Sequence, residues 1–204
     1  VYQIKLETHT IGGHDYRIRS LLDRNQFHDP LGAAARVGVS DAQWSFFGVV
    51  WASGLALAEF SSHHPLEGKR ALEIGCGLAL SGLVCHARGA DVTASDRHPL
   101  TAEFLRENLA LNALPPMPYL DVDWTAPPAA LGRFDLVLAS DVMYEPGHPE
   151  ELARFFEHHL NPGGEVIVVD PGRGGVGRLR RALALLGLHP DEVAPTNRVV
   201  RYRA

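Results

Sequence analysis

The sequence predicts an α/β protein built on a doubly wound sheet, and three observations carry that prediction. From residue 69 onward, short apolar runs alternate with helix-length amphipathic segments. Two of those runs stop abruptly at glycine-rich turns, as buried parallel strands do before a helix. The composition is that of a folded chain, with 204 residues of which 46% are hydrophobic and 21% charged. That is too apolar for a disordered chain, and the length suits one domain with a substantial core.

The elements follow in order. Residues 1–68 read as an appendage to a core of residues 69–204. In the appendage, residues 3–8 and 16–19 alternate in polarity around Gly12-Gly13, a β-hairpin pattern. Trp51, Leu55, Leu57, Ala58 and Phe60 have the spacing of a helix packed beside the sheet. Arg70-Ala71-Leu72-Glu73-Ile74 is the first core strand, and a helix over 80–88 ends at Gly89, a suitable left-handed C′ residue. Residues 91–95 form a strand ending at Asp96, and Pro99 begins a helix that closes near Asn112 before Pro115-Pro116. Strands over 119–122, 134–139 and 165–169, helices over 150–160 and 179–186, and a turn at Asn161-Pro162-Gly163-Gly164 complete the alternation. Residues 198–203 read as a last edge strand.

Charge and cysteine content exclude several classes. The net charge is −5, so no nucleic-acid partner is expected. Seven arginines against two acids lie after residue 170, which leaves the body of the chain acidic. Cys76 and Cys85 cannot build a disulfide framework, and a reducing compartment is the simpler reading. No apolar run nears the roughly 18 residues that span a bilayer, and no leader pattern is visible at Val1-Tyr2-Gln3. The expectation is a soluble, cytoplasmic protein with no membrane partner; no oligomeric state can be read. His63-His64 and His158-His159 lack metal-ligand spacing, so no metal is expected.

Two glycine-rich junctions compete for a ligand at the carboxyl ends of the strands. Asp170-Pro171-Gly172-Arg173-Gly174-Gly175-Val176-Gly177 contains a formal G-x-G-x-x-G, but no strand ending in an acid follows at the required distance. It reads better as a mobile loop beside a substrate. In Glu73-Ile74-Gly75-Cys76-Gly77, the next strand ends at Asp96, where a carboxylate would accept ribose hydroxyls. Leu80 replaces the third fingerprint glycine and opposes a pyrophosphate. Glu73, an acid on a buried strand, needs a partner, and a cationic ligand group would supply one. An adenosine bearing an ammonium, such as S-adenosylmethionine, fits better than a dinucleotide.

Glu73-Ile74-Gly75-Cys76-Gly77 with Asp96 resembles the first motif and acidic post-motif residue of seven-β-strand S-adenosylmethionine-dependent methyltransferases, whose fold is the Rossmann-like class I sheet. Asp141-Val142-Met143-Tyr144 is similar to the Asp-x-x-Tyr signature of methyltransferase family 16, which includes many protein-lysine methyltransferases. The segment from Val50-Trp51 resembles that family's tryptophan-containing helix, and Asp121-Val122-Asp123-Trp124 its third-strand Asp-Trp element. Asp170-Pro171-Gly172-Arg173 is similar to the electron-transfer flavoprotein β-subunit lysine methyltransferases. Ala79 departs from the pattern, standing where a third glycine is common.

The resemblance implies an enzyme that transfers a methyl group from S-adenosylmethionine, leaving S-adenosylhomocysteine, to a protein side chain, lysine or arginine. A small-molecule acceptor and a non-catalytic binding module are the alternatives. It implies a cofactor seat of Trp51, Glu73, Gly75, Cys76, Gly77, Asp96, Arg97, Asp123, Trp124 and Ser140, with Asp141 and Tyr144 catalytic. Two positions stay open: Trp51 as pocket wall or ordinary core, and Asp141 as catalytic carboxylate or helix N-cap with Tyr144 packed on the sheet.

Overall fold

Strand alternation sorts the core side chains onto two layers. On β3 (Arg70–Ile74) and β6 (Phe134–Ser140), Ala71, Leu136 and Leu138 face one apolar cluster while Leu72, Ile74, Val137 and Ala139 face the other. This architecture is that of a computed structural model, which describes residues 2–26, 29, 31–194 and 198–204. In chain order the elements are β1 (Ile4–Ile11), β2 (His14–Leu21), α1 (Ala33–Arg36), α2 (Asp41–Trp44), α3 (Ala52–His63), β3, α4 (Leu80–Ala87), β4 (Asp91–Asp96), α5 (Thr101–Leu111), β5 (Tyr119–Asp121), β6, α6 (His148–His159), β7 (Leu160–Val169), α7 (Val176–Leu185), β8 (His189–Ala194) and β9 (Val199–Arg203).

Among the described residues, seven strands form one sheet in the order β5-β4-β3-β6-β7-β9-β8. The first five are parallel neighbours, and β9 runs antiparallel to both β7 and β8. The doubly wound α/β class is therefore present as expected. The chain order reverses between β3 and β6, which opens a crevice at their carboxyl ends.

Several expected elements differ. The expected edge strand over 198–203 is the internal strand β9 (Val199–Arg203), and the edge belongs to β8, which the sequence pattern hides because His189-Pro190-Asp191 is polar and carries a proline. An edge strand tolerates both, since one side of its backbone needs no partner. The turn at 161–164 lies inside the span of β7, where pairing with β6 breaks between Phe134 and Leu136 and Gly163 has φ 76°. Helix α6 begins two residues early, at His148, with Pro149 in the first turn, where a missing N–H costs no bond.

The expected hairpin is present, with β1 and β2 pairing as their own two-stranded sheet. Its β2 edge is closed by side chains rather than by a strand. Asn108 Oδ1 accepts from the Arg19 N–H at 2.7 Å and Asn112 Oδ1 from the Arg17 N–H at 2.8 Å, while the two amide NH₂ groups donate to the Arg19 and Arg17 carbonyls. Two amides one turn apart, Asn108 on α5 and Asn112 at its C-cap, thus mimic a neighbouring strand and blunt an exposed edge. Arg19 adds ion pairs to Glu103 and Glu107 and lies over the Phe104 ring.

At the amino ends of the strands, Glu165 is paired with His64 at 2.7 Å and Lys69 at 2.5 Å. Burial pushes its carboxyl up, but those two hydrogen bonds outweigh it and hold the group down to about 2. Both cysteines are buried free thiols. No described helix is long and apolar enough to cross a membrane.

Candidate active site

The crevice between β3, β4 and β6 is lined by all twelve residues singled out in the sequence. The first glycine loop forms its floor. Gly75, Gly77 and Ala79 all lie in the left-handed region, at φ 55°, 52° and 55°. At Gly75 a Cβ would stand 2.8 Å from Val142 Cγ1 and 3.5 Å from Trp124, so glycine is required by space as well as by conformation. At Gly77 nothing lies within 4 Å and only the backbone conformation asks for glycine. Ala79 accepts the strained conformation with a side chain, at a cost of about 1–2 kcal/mol.

Asp96 locks this loop. Its Oδ2 accepts from the Gly77 N–H at 2.8 Å and its Oδ1 from the His98 N–H at 2.8 Å, and the Arg97 N–H also interacts with the carboxylate, which leaves lone-pair capacity on it. The Cys76 N–H donates to the Ser95 carbonyl at 3.0 Å, stitching the loop to β4. Burial pushes the Asp96 carboxyl up.

Glu73 has a partner that the sequence did not disclose. Its Oε2 accepts from the Gly82 N–H at 2.7 Å in the first turn of α4, whose N-cap residue Ala79 has no capping side chain. The strand carboxylate therefore caps the helix, and the helix dipole offsets part of its burial. The sequence pattern led to a cationic ligand group as its partner, whereas the partner present is this backbone N–H. At 3% exposure, burial still pushes the Glu73 carboxyl up to about 8, helped by the nearby Asp96 charge and opposed by the Gly82 bond. A cation placed beside it would relieve that cost.

The walls are aromatic. Trp124 is half-buried, packs over Gly75 and meets His148 edge-on at 5.3 Å. Asp123 shapes the turn before it by accepting from the Thr125 N–H and hydroxyl. Trp51 is a half-buried wall residue, fixed by its indole N–H donating to the Phe46 carbonyl at 2.9 Å. Trp51 thus lies on the crevice surface and not in the buried core. Arg97 interacts with the Tyr144 hydroxyl across the crevice, and burial raises that hydroxyl. Ser140 ends β6 at the rim.

Asp141 follows Ser140 in the left-handed conformation at φ 55°, its N–H donating to the Val169 carbonyl at 2.9 Å. It is not a helix N-cap, because α6 starts only at His148. Tyr144 stands between the rings of Phe46 at 4.9 Å and His148 at 4.6 Å. The second glycine loop reaches the same crevice through Arg173, which pairs with both Asp141 oxygens. The two junctions thus meet at one crevice: one forms the floor and the other sends in a side chain.

Three residues at the site escaped sequence reasoning. Phe46 lies in an irregular stretch without periodicity, and His148, which pairs its Nδ1 with the Val142 carbonyl at 2.8 Å, carries no motif. His98, stacked on Phe47 with centroids 4.0 Å apart, has its Nε2 buried without a partner; burial lowers the ring to about 3. Among the described residues no cluster of acids, histidines or cysteines could hold a metal ion.

Comparison with known proteins points one way. Residues 39–173 match the family described as lysine methyltransferase. The zebrafish (Danio rerio) electron transfer flavoprotein beta subunit lysine methyltransferase is 29% identical over 165 residues, 77% of this chain and 62% of that protein. The human histone-arginine methyltransferase METTL23 is 34% identical over 122 residues, 55% of this chain and 64% of that protein. The chain therefore spans under two thirds of the length of these relatives. Among solved structures, the T. thermophilus 16S rRNA N2 G1207 methyltransferase superposes with a TM-score of 0.65 at 18% identity, covering 100% of this chain and 51% of the other. At that identity the likeness establishes the fold.

Proposed function

The chain belongs to the lysine methyltransferase family, and from that premise we propose that it transfers a methyl group from S-adenosylmethionine to a lysine or arginine side chain of a protein. The observation that carries this reading is the pair of carboxylates, buried Glu73 and half-buried Asp96, held by backbone N–H groups at the floor of one crevice. The residues present fit the cofactor. Asp96 keeps lone pairs for ribose hydroxyls, Glu73 is a buried acid whose ionisation a neighbouring ammonium would favour, and Trp124 with Trp51 supplies flat apolar walls. When bound, S-adenosylmethionine supplies an electrophilic sulfonium methyl.

The chain's own part is orientation and proton handling. An ammonium has no lone pair, so a lysine acceptor must lose a proton before it attacks. Asp141 is placed to hold the acceptor's charge and take up a proton, while Tyr144 and Phe46 exclude water from the approach. The test is transfer of tritiated methyl into a cell lysate by wild type and Asp141→Ala, with labelled species identified by mass. Labelled lysine or arginine in protein is expected, with Asp141→Ala slower by at least about 100-fold. Label only in small metabolites, or an undiminished variant, would overturn the assignment.

A further inference from the structure

The proposed acceptor position is already filled by a side chain of the protein itself. Arg173 Nε donates to Asp141 Oδ1 at 2.5 Å and Nη2 to Oδ2 at 3.0 Å, a bidentate fork. The guanidinium lies 5.6 Å from the centre of the Phe46 ring, and Phe46 leans on Tyr144. A carboxylate with an aromatic wall is the arrangement that recognises a basic side chain. We infer that Arg173 is an internal occupant of the acceptor's cation seat, and that a lysine or arginine side chain enters by displacing it from Asp141. This inference rests on the methyltransferase reading above.

The two partners differ in how firmly they are held. Asp141 is anchored at the end of β6 by its N–H bond to Val169, and its side chain is 10% exposed. Arg173 comes from an exposed loop, between Gly172 at φ 100° and Gly174 at φ 91°, with its side chain 33% exposed. Its backbone is tied by one carboxylate oxygen, Asp170 Oδ1, which accepts from the Gly172 and Arg173 N–H groups. Arg173 is thus the partner able to leave. With it in place the pair is electroneutral and Asp141 offers little attraction to a second cation. Exchange conserves charge, since one cation leaves as another arrives. The loop then selects basic side chains, because a neutral acceptor cannot compensate Asp141 once Arg173 has gone.

The test titrates N-acetyl-lysine methylamide and N-acetyl-arginine methylamide into the protein saturated with S-adenosylhomocysteine. Wild type is compared with Arg173→Met, which keeps an apolar stem against Phe46 and removes the charge. At least tenfold tighter binding of one probe to Arg173→Met, lost again when Asp141→Asn is added, is expected. Equal or weaker binding, or no binding to either form, overturns the displacement. In wild type, the Arg173 Nε–H nuclear magnetic resonance should shift or vanish as the probe saturates. An unmoved resonance overturns the inference even if the variant fails to fold. Heat from S-adenosylhomocysteine in the same samples reports separately on the methyltransferase reading, which its absence would remove.

Discussion

The two glycine loops share a sequence pattern and differ in nearly every physical respect. Residues 75–79 are buried or half-buried, pinned to β4 through Cys76 and Asp96, and hold three consecutive odd positions in the left-handed region. Residues 171–174 are exposed and held by Asp170 and by the Arg173 pair with Asp141. The first loop is a fixed cradle, in which close approach and a left-handed backbone demand glycine at Gly75 and the backbone alone demands it at Gly77. The second is an exposed arm that turns at Gly172, beside the Arg198 guanidinium, and at Gly174, where nothing lies within 4 Å. A G-x-G spacing therefore says where the chain turns; burial and carboxylate partners say what the turn is for.

The largest expected effect that separates them is at Gly75. Gly75→Ala forces a Cβ to 2.8 Å from Val142 in a left-handed conformation and should cost about 2–4 kcal/mol, read by denaturant melting. If stability barely moves, the first loop is as pliable as the second. Next is pH. The Glu73 carboxyl, pushed up to about 8, holds its proton in the free protein below that pH, and a cationic ligand binds the ionised form. Affinity for S-adenosylmethionine should therefore rise with pH, by up to about tenfold per unit between pH 6 and 7, and fall again once the ligand's own ammonium loses its proton above about pH 8. A flat profile over that range would remove Glu73 as the ammonium's partner. The smallest effects form a matched pair: Ala79→Gly should relieve strain and stabilise by up to about 1 kcal/mol, whereas Gly174→Ala, with nothing within 4 Å, should cost about 1 kcal/mol. Thermal melts check both, and a reversal of the signs would break the contrast.

What the sequence made legible follows the range of each interaction. Glu73, Gly75, Gly77 and Asp96 were readable because one strand–turn–helix–strand unit contains them all. Arg173 stood in a recognised four-residue pattern, yet its pairing with Asp141, 32 positions away on another strand, depends on sheet order and was hidden. The helix-capping role of Glu73 was hidden for a related reason, since it depends on how closely Gly82 packs over the strand. Strand β8 was missed because its proline and acid mimic a loop. Four of the seven arginines after residue 170 pair with acids within the fold. Arg178 pairs with Glu150, Arg201 and Arg203 meet Asp191, and Arg173 meets Asp141.

Calorimetric titration with S-adenosylmethionine tests the division of labour between the loops most directly. It compares wild type, Asp96→Ala and a chain shortened within residues 172–177. Asp96→Ala should bind more weakly by about 1–3 kcal/mol, while the shortened chain should bind as wild type does. Undiminished binding by Asp96→Ala, together with loss of binding in a folded, shortened chain, would place the cofactor on the second loop and contradict the account.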